Sequence, residues 1–280
     1  MGERLEAYAH DGLTFDVRDH GPEDCRVVVA LHGFPQTSRS WDGVAGHLAA
    51  AGCRVLAPDQ RGYSPRARPW EVSAYALPAL VGDVLALAKA AGAERFDVLG
   101  HDWGGAVGWA LAAQHPDRVR SLTVASTPHP RALVAAMLHG QALRSWYMGA
   151  FQLPVLPELV LGSPALAGPL LARMGTPDPA EVQALLADRR TARALLNWYR
   201  AAWRPMLGRT AWPFPRARVP TTYVWGAQDP ALGRWAAEHT GLCVEADYRF
   251  VALEDVGHWI PDERPAELAR LALERMASVP

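Results

Sequence analysis

Phe96-Asp97-Val98-Leu99-Gly100-His101-Asp102-Trp103-Gly104-Gly105 is the stretch that decides the fold of this 280-residue chain. Phe96–Leu99 is a short apolar run of strand type, and Ala106–Gln114 behind it is helical in composition. Small residues stand on both sides of Asp102. A sharp strand-to-helix turn requires this, because bulky neighbours would clash with the adjoining elements. Such a turn lifts its central side chain above the C-terminal edge of a sheet, and the helix N-terminus behind it favours a negative charge. A plainer reading makes Asp102 a helix cap, a role aspartate often fills. The segment alone leaves both readings open.

Working outward, strand-like and helix-like segments alternate on either side of this turn. Leu13–Asp19 alternates apolar and polar residues, and Arg26–Leu31 is an apolar run centred on Val27, Val28 and Val29. Ser40–Ala51 reads as helix, Arg54–Ala57 as strand, Ser73–Ala91 as helix closed by Gly92, and Val119–Ala125 as strand. Repeated strand-then-helix order predicts an α/β fold with a mostly parallel sheet, helices on both faces and right-handed crossovers. The texture changes near Pro128. Helical pieces follow at Leu133–Leu143, Pro179–Leu186 and Thr191–Trp203, with proline and glycine breaks over Phe151–Pro179 and no strand before Pro213. Alternation then resumes with Thr221–Trp225, Leu232–His239, Tyr248–Leu253 and a closing helix at Ala266–Ala277. The expected organisation is a core of residues 1–128 and 213–280 with a helical cap, 129–212, inserted over the sheet.

Composition narrows the function classes. With 28 basic and 29 acidic side chains the formal charge is −1, so nothing electrostatic invites nucleic acid or an anionic membrane surface. Half the residues are hydrophobic and a fifth charged, which excludes disorder and collagen-like repetition. Cys25, Cys53 and Cys243 are odd in number and lack metal-ligand spacing, which predicts small buried hydrophobes in a reduced protein. Met1-Gly2-Glu3-Arg4-Leu5-Glu6 lacks the apolar run of a signal peptide, and no stretch approaches the roughly 18 apolar residues of a spanning helix. A cytoplasmic protein without membrane insertion is expected. With no phosphate-cradling glycine loop and no metal cluster, no cofactor and no metal are expected either.

Three further segments bear on chemistry. Leu31-His32-Gly33-Phe34-Pro35-Gln36 follows the valine-rich strand, and in a sheet of this kind that loop lies beside the Asp102 turn. The backbone N–H groups of Phe34 and Trp103 then form a candidate oxyanion hole. His32 is given a structural role. Trp225-Gly226-Ala227-Gln228-Asp229-Pro230 places an acid just past a strand, and Asp255-Val256-Gly257-His258-Trp259 places a histidine before the last helix. Asp229 alone reads equally as a turn residue, and His258 is one of ten histidines. Taken together, Asp102, Asp229 and His258 give the order nucleophile, acid, base, each at the C-terminal end of a strand.

These residues carry a resemblance. From about residue 10 onward the chain resembles the α/β-hydrolase superfamily. It is most similar to the epoxide hydrolases through His-Gly-Phe-Pro at 32–35, Gly-His-Asp-Trp-Gly-Gly at 100–105 and Gly-His-Trp at 257–259. Leu196-Asn197-Trp198-Tyr199-Arg200 and Ser145-Trp146-Tyr147, with Phe151-Gln152 beyond it, resemble the cap segments that supply acid tyrosines in those enzymes. The resemblance implies an α/β-hydrolase fold in which Asp102 attacks an epoxide carbon to form an alkyl ester. His258, oriented by Asp229, then activates the water that hydrolyses it, and Tyr199, with Tyr147 as a second candidate, protonates the opening oxygen. The usual second tyrosine stands directly before the Phe-Gln pair, where this chain has Ala150; Tyr147 lies four residues before Phe151, about one helical turn. The implied partners are a small apolar epoxide and water, with a homodimer left open.

Two relatives share the nucleophile. Haloalkane dehalogenases use a tryptophan after it, matched by Trp103, and an asparagine where this chain has Phe34. Haloacetate dehalogenases share His-Gly-Phe-Pro-Gln but carry arginine where Trp103 stands. A dehalogenase and a non-catalytic ligand receptor on the same scaffold are the alternatives. Trp146, Trp198, Trp203 and Trp212 read mainly as cap packing, Asp188-Arg189-Arg190 as a solvated helix face, and Asp59–Ser64 as a structural turn.

Overall fold

A computed structural model describes residues 4–207 and 214–279, with backbone alone over 203–207. Eight strands are found among them: β1 (Ala7–His10), β2 (Leu13–His20), β3 (Arg26–Leu31), β4 (Cys53–Pro58), β5 (Phe96–His101), β6 (Val119–Ala125), β7 (Thr221–Gly226) and β8 (Tyr248–Leu253). They form one sheet in the order β1-β2-β4-β3-β5-β6-β7-β8. β1 and β2 pair antiparallel, as do β2 and β4, and every later pairing is parallel.

Side chains on a strand alternate between faces, and the valine run shows both. Val27, Val29 and Leu31 enter one core with Leu80, Val84 and Leu87 of α2 (Leu77–Ala90, after α1) and Val107 and Leu111 of α3 (Trp103–Gln114). Val28 and Ala30 enter the opposite core with Val44 and Leu48 of α1 (Asp42–Ala50), and with Leu268 and Leu271 near the C-terminus. A strand buried on both faces must be apolar throughout, so these central strands read as continuous hydrophobic runs.

Between β6 and β7 the chain is helical: α4 (Pro130–Ala136), α5 (Gln141–Arg144), α6 (Trp146–Ala150), α7 (Leu156–Leu161), α8 (Pro164–Arg173), α9 (Pro179–Ala187) and α10 (Arg189–Leu207). After β7 come α11 (Arg234–His239), α12 (Ile260–Glu263) and α13 (Pro265–Ala277). Two corrections to the sequence expectation follow. Phe151–Pro179 is not merely broken but carries α7 and α8, because Pro157 and Pro164 sit in the first turns, where the missing N–H costs nothing and the fixed φ suits a helix start. The helix after the Asp102 turn begins at Trp103 rather than Ala106, so the turn is tighter than expected. Leu161, Ala167, Leu186, Leu195 and Trp198 belong to the same apolar cluster as α2 and α3, so the helical excursion packs onto the sheet layer without a break. The expected boundary at 212/213 and Trp212 lie outside the described residues, as does the side chain of Trp203.

The register sets up the site. Leu31 stands opposite Gly100, His101 opposite Ala125, Ala125 opposite Val224, and Gly226 opposite Leu253. The loops after β3, β5, β7 and β8 therefore leave the same sheet edge. Cys53 and Cys243 are buried, Cys25 is half-buried, and all three are free thiols. Among the described residues no helix is long and apolar enough to cross a membrane, and no cluster of His, Cys, Asp or Glu is arranged to hold a metal.

Candidate active site

Asp102 occupies φ 49°, ψ −120°, a conformation that strains any residue with a Cβ. The glycines around it explain how the strain is sustained. A Cβ on Gly100 would lie 2.6 Å from the Gly104 carbonyl oxygen, and one on Gly104 would lie 2.0 Å from that of Leu31. On Gly33 it would lie 2.2 Å from the Asp102 Cβ. Only hydrogen fits at these positions, so β3, its loop and the turn close onto one another. The Thr127 hydroxyl donates to the Asp102 backbone carbonyl at 2.8 Å and ties the turn to the end of β6.

The carboxylate is aimed by backbone. The Phe34 N–H donates to Asp102 Oδ1 at 2.8 Å. Burial pushes the Asp102 carboxyl above its ordinary pKa; His258 and the backbone N–H groups of Phe34 and Trp103 pull it back. Oδ2 faces His258, 3.8 Å from Nε2. On the other side of the ring, His258 Nδ1 lies 2.7 Å from Asp229 Oδ2. That contact makes Nδ1 the donor and leaves Nε2 facing Asp102. Asp229 is held in turn, its Oδ1 accepting the N–H groups of Ala231 at 2.7 Å and Leu232 at 2.9 Å. Burial disfavours the imidazolium, but the Asp229 and Asp102 carboxylates outweigh it and lift the His258 pKa to about 9.

The tyrosines arrive from above. On α10, Tyr199 packs its ring 5.0 Å from Trp103, 5.3 Å from Phe34 and 4.9 Å from Phe151. Tyr147 on α6 lies 6.1 Å from Tyr199 and 5.6 Å from Phe151, ring to ring. The Phe151 N–H donates to the Tyr147 carbonyl at 2.9 Å, so the four-residue spacing is a helical turn that keeps both rings on one side. Burial and the Asp102 charge raise the pKa of both phenols, with Asp229 also acting on Tyr147. Both are therefore O–H donors at neutral pH. The Trp103 indole, edge-to-face against the Tyr199 ring, opposes part of that rise at Tyr199.

His32 is structural. Its Nε2 accepts the Gln60 N–H at 3.1 Å, Gln60 Nε2 donates to the His32 carbonyl at 2.6 Å, and burial lowers its pKa to about 4. The Asp59–Ser64 turn holds Arg61 in a buried bidentate pair with Asp83. Sequence reasoning singled out neither Gln141 nor Arg144. Gln141 donates to the Ala231 carbonyl at 2.7 Å and accepts the Gly233 N–H at 2.9 Å, while Arg144 donates to the Asp229 carbonyl at 3.0 Å. These helical side chains fix the loop that presents Asp229.

A family profile described as the alpha/beta hydrolase fold matches residues 26–158. The chain is 31% identical over 306 residues to epoxide hydrolase A of Mycobacterium tuberculosis, covering 94% of each. The chain belongs to the epoxide hydrolase family of α/β-hydrolases. It is also 34% identical over 284 residues to the AB hydrolase superfamily protein YfhM of Bacillus subtilis, covering 98% of each. Among solved structures, one of the novel epoxide hydrolases from metagenomes of hot environments superposes with a TM-score of 0.81 at 31% identity, over 99% of both chains. Epoxide hydrolase A of Mycobacterium thermoresistibile gives 0.81 at 28% identity over 98% of both. In this family member Tyr199 packs against Phe34 and Trp103, the two residues beside the Asp102 carboxylate, and Tyr147 packs against Tyr199.

Proposed function

We propose that the protein hydrolyses a small apolar epoxide to a vicinal diol in two half-reactions. Asp102 Oδ2 attacks a ring carbon, the carbon–oxygen bond breaks, and the departing oxygen takes the Tyr199 proton, with Tyr147 alongside. Oδ1 becomes the carbonyl oxygen of the resulting ester. In the second step His258 takes a proton from water, and the water oxygen attacks that carbonyl. The negative charge collects on Oδ1, where the N–H groups of Phe34 and Trp103 stabilise it. Collapse frees Asp102 and the diol, and the proton on His258 is returned to the tyrosinate.

Electrostatics favours this order. Esterification removes the Asp102 charge, one of the influences holding His258 near pKa 9, so the imidazole becomes a usable base only once there is an ester to hydrolyse. Residues 129–212 act as a cap over a core of 1–128 and 213–280, supplying both tyrosines and excluding bulk water. Every group used comes from one chain, no cofactor is needed, and the reaction suits the cytoplasm.

One observation carries the choice between relatives: Tyr199 packs edge-to-face on Trp103, the group a halide site would use, and on Phe34, whose side chain offers a halide no donor. The test is a turnover assay with aryl and alkyl epoxides, a chloroalkane and fluoroacetate, measuring diol and free halide together. Diol without halide is expected. Halide without diol would put a dehalogenase in its place, and tight binding without turnover would make it a receptor.

A further inference from the structure

The backbone carbonyl of His258 accepts two buried hydrogen bonds, from the Ser126 hydroxyl at 2.5 Å and from His101 Nε2 at 2.9 Å. Both donors are fully buried. Neither touches the imidazole by a polar contact, and neither takes part in the mechanism above.

Each donor is itself held in place. Ser126 has φ 68°, in the left-handed region that a side chain disfavours. Its N–H donates to the Val224 carbonyl at 2.9 Å, and its carbonyl accepts the Tyr223 hydroxyl at 2.9 Å. Ser126 is thereby locked to β7, the strand that leads to Asp229. His101 precedes the nucleophile, and its ring packs 5.0 Å from that of His258. Burial, reinforced by the His258 charge, drives its pKa well below the usual range, so it is neutral, with Nε2 carrying the proton. On the other side of the same loop, Glu263 accepts the N–H groups of Gly257 at 3.1 Å and Trp259 at 3.2 Å. The peptides flanking the base are thus gripped from both directions, and the carbonyl grip comes from the ends of the nucleophile strand and its neighbour.

We infer that Ser126 and His101 are positioning residues for the hydrolytic half-reaction. By fixing the His258 carbonyl they fix the torsions that aim its imidazole at the ester of Asp102. The inference rests on the two-step reading of the preceding section. Only the second step needs His258 to move a proton, and a base must stand within about 3 Å of the water it deprotonates. A misplacement of about 1 Å costs on the order of a hundredfold. Attack by Asp102 relies instead on the Phe34 and Trp103 amides and on the tyrosines, which these donors do not touch.

The experiment is single-turnover kinetics with styrene oxide and 1,2-epoxyhexane, following the alkyl-enzyme by intact mass and the diol by chromatography. Ser126→Gly deletes the hydroxyl while relieving the strain at φ 68°, so its melting temperature should not fall below that of Ser126→Ala. Its ester should form within about twofold of the wild-type rate but hydrolyse at least about tenfold more slowly, and so accumulate. His101→Leu should shift the same step, and His101→Gln, which retains an N–H near the Nε2 position, should recover most of the rate. Unaltered hydrolysis in Ser126→Gly and His101→Leu, or equal slowing of both phases, would overturn the inference. If neither wild type nor His258→Gln forms an ester with either epoxide, the underlying two-step reading fails and the inference goes with it.

Discussion

The site has a floor and a roof built on different principles. On the floor, Asp102, Asp229 and His258 stand at strand ends and are tied by directional polar contacts of 2.7–2.9 Å, with glycines admitting no other backbone path. In the roof, Tyr199 and Tyr147 are placed by rings 4.9–6.1 Å apart, and the Tyr199 helix packs onto the core through Ala192, Leu195 and Leu196. Hydrogen bonds and steric exclusion fix a direction; ring packing fixes a neighbourhood. The floor is suited to holding a fixed charge, and the roof to meeting substrates of differing shape.

The contrast can be broken from either side. Gly104→Ala, which forces a Cβ to 2.0 Å from the Leu31 carbonyl oxygen, should cost more than about 4 kcal/mol and leave little folded protein. A soluble variant with a wild-type melting temperature would show that the floor is not sterically fixed. Asp102→Ala should keep the fold and lower turnover by about ten-thousandfold or more, measured as diol formation. Retained activity would sink the covalent route. His258→Gln should alkylate but not hydrolyse, visible as a mass gain of one substrate. For the roof, Tyr199→Phe keeps the ring and removes the proton, so ester formation should slow by about a hundredfold, with Tyr147→Phe costing less. Identical losses in the two would mean that the hydroxyls share the work. The smallest effect is in stability. The folded His258 pKa of about 9 lies above the ordinary 6.5, so its stabilisation is complete below 6.5 and is lost as pH rises towards 9. The melting temperature should fall across that window in wild type and not in His258→Gln.

Legibility in the sequence follows the same division. Arg26–Leu31 and Val119–Ala125 have the bounds that their apolar runs suggest, because a strand buried on both faces tolerates little else, and the edge strand Tyr248–Leu253 keeps its expected bounds although only Leu253 is buried. Asp102, Asp229 and His258 stood out because strand ends and small neighbours leave a local pattern. Helices α7 and α8 did not, since prolines that start a helix look like prolines that break one until the partners are known. Ser126 and His101 were silent for another reason. They reach the His258 carbonyl from 132 and 157 positions away, and any residue can offer a carbonyl, so nothing in the side-chain pattern marks the contact. The approach of Tyr147 to Tyr199 was visible only as a spacing, since the packing that brings α6 to α10 depends on the whole excursion.

The helical excursion leaves from β6 and returns into β7, two strands that lie side by side with Ala125 opposite Val224. Entry and exit therefore belong to one seam of the sheet, and no strand has to be re-registered when the intervening chain changes. Asp102 and His258 lie on opposite sides of that seam in the linear order, yet on the same edge in space. Lengthening, shortening or recombination of the intervening segment then alters what reaches Asp102 while leaving the chemistry beneath it intact. That makes the seam the natural crossover point for exchanging specificity between chains of this architecture.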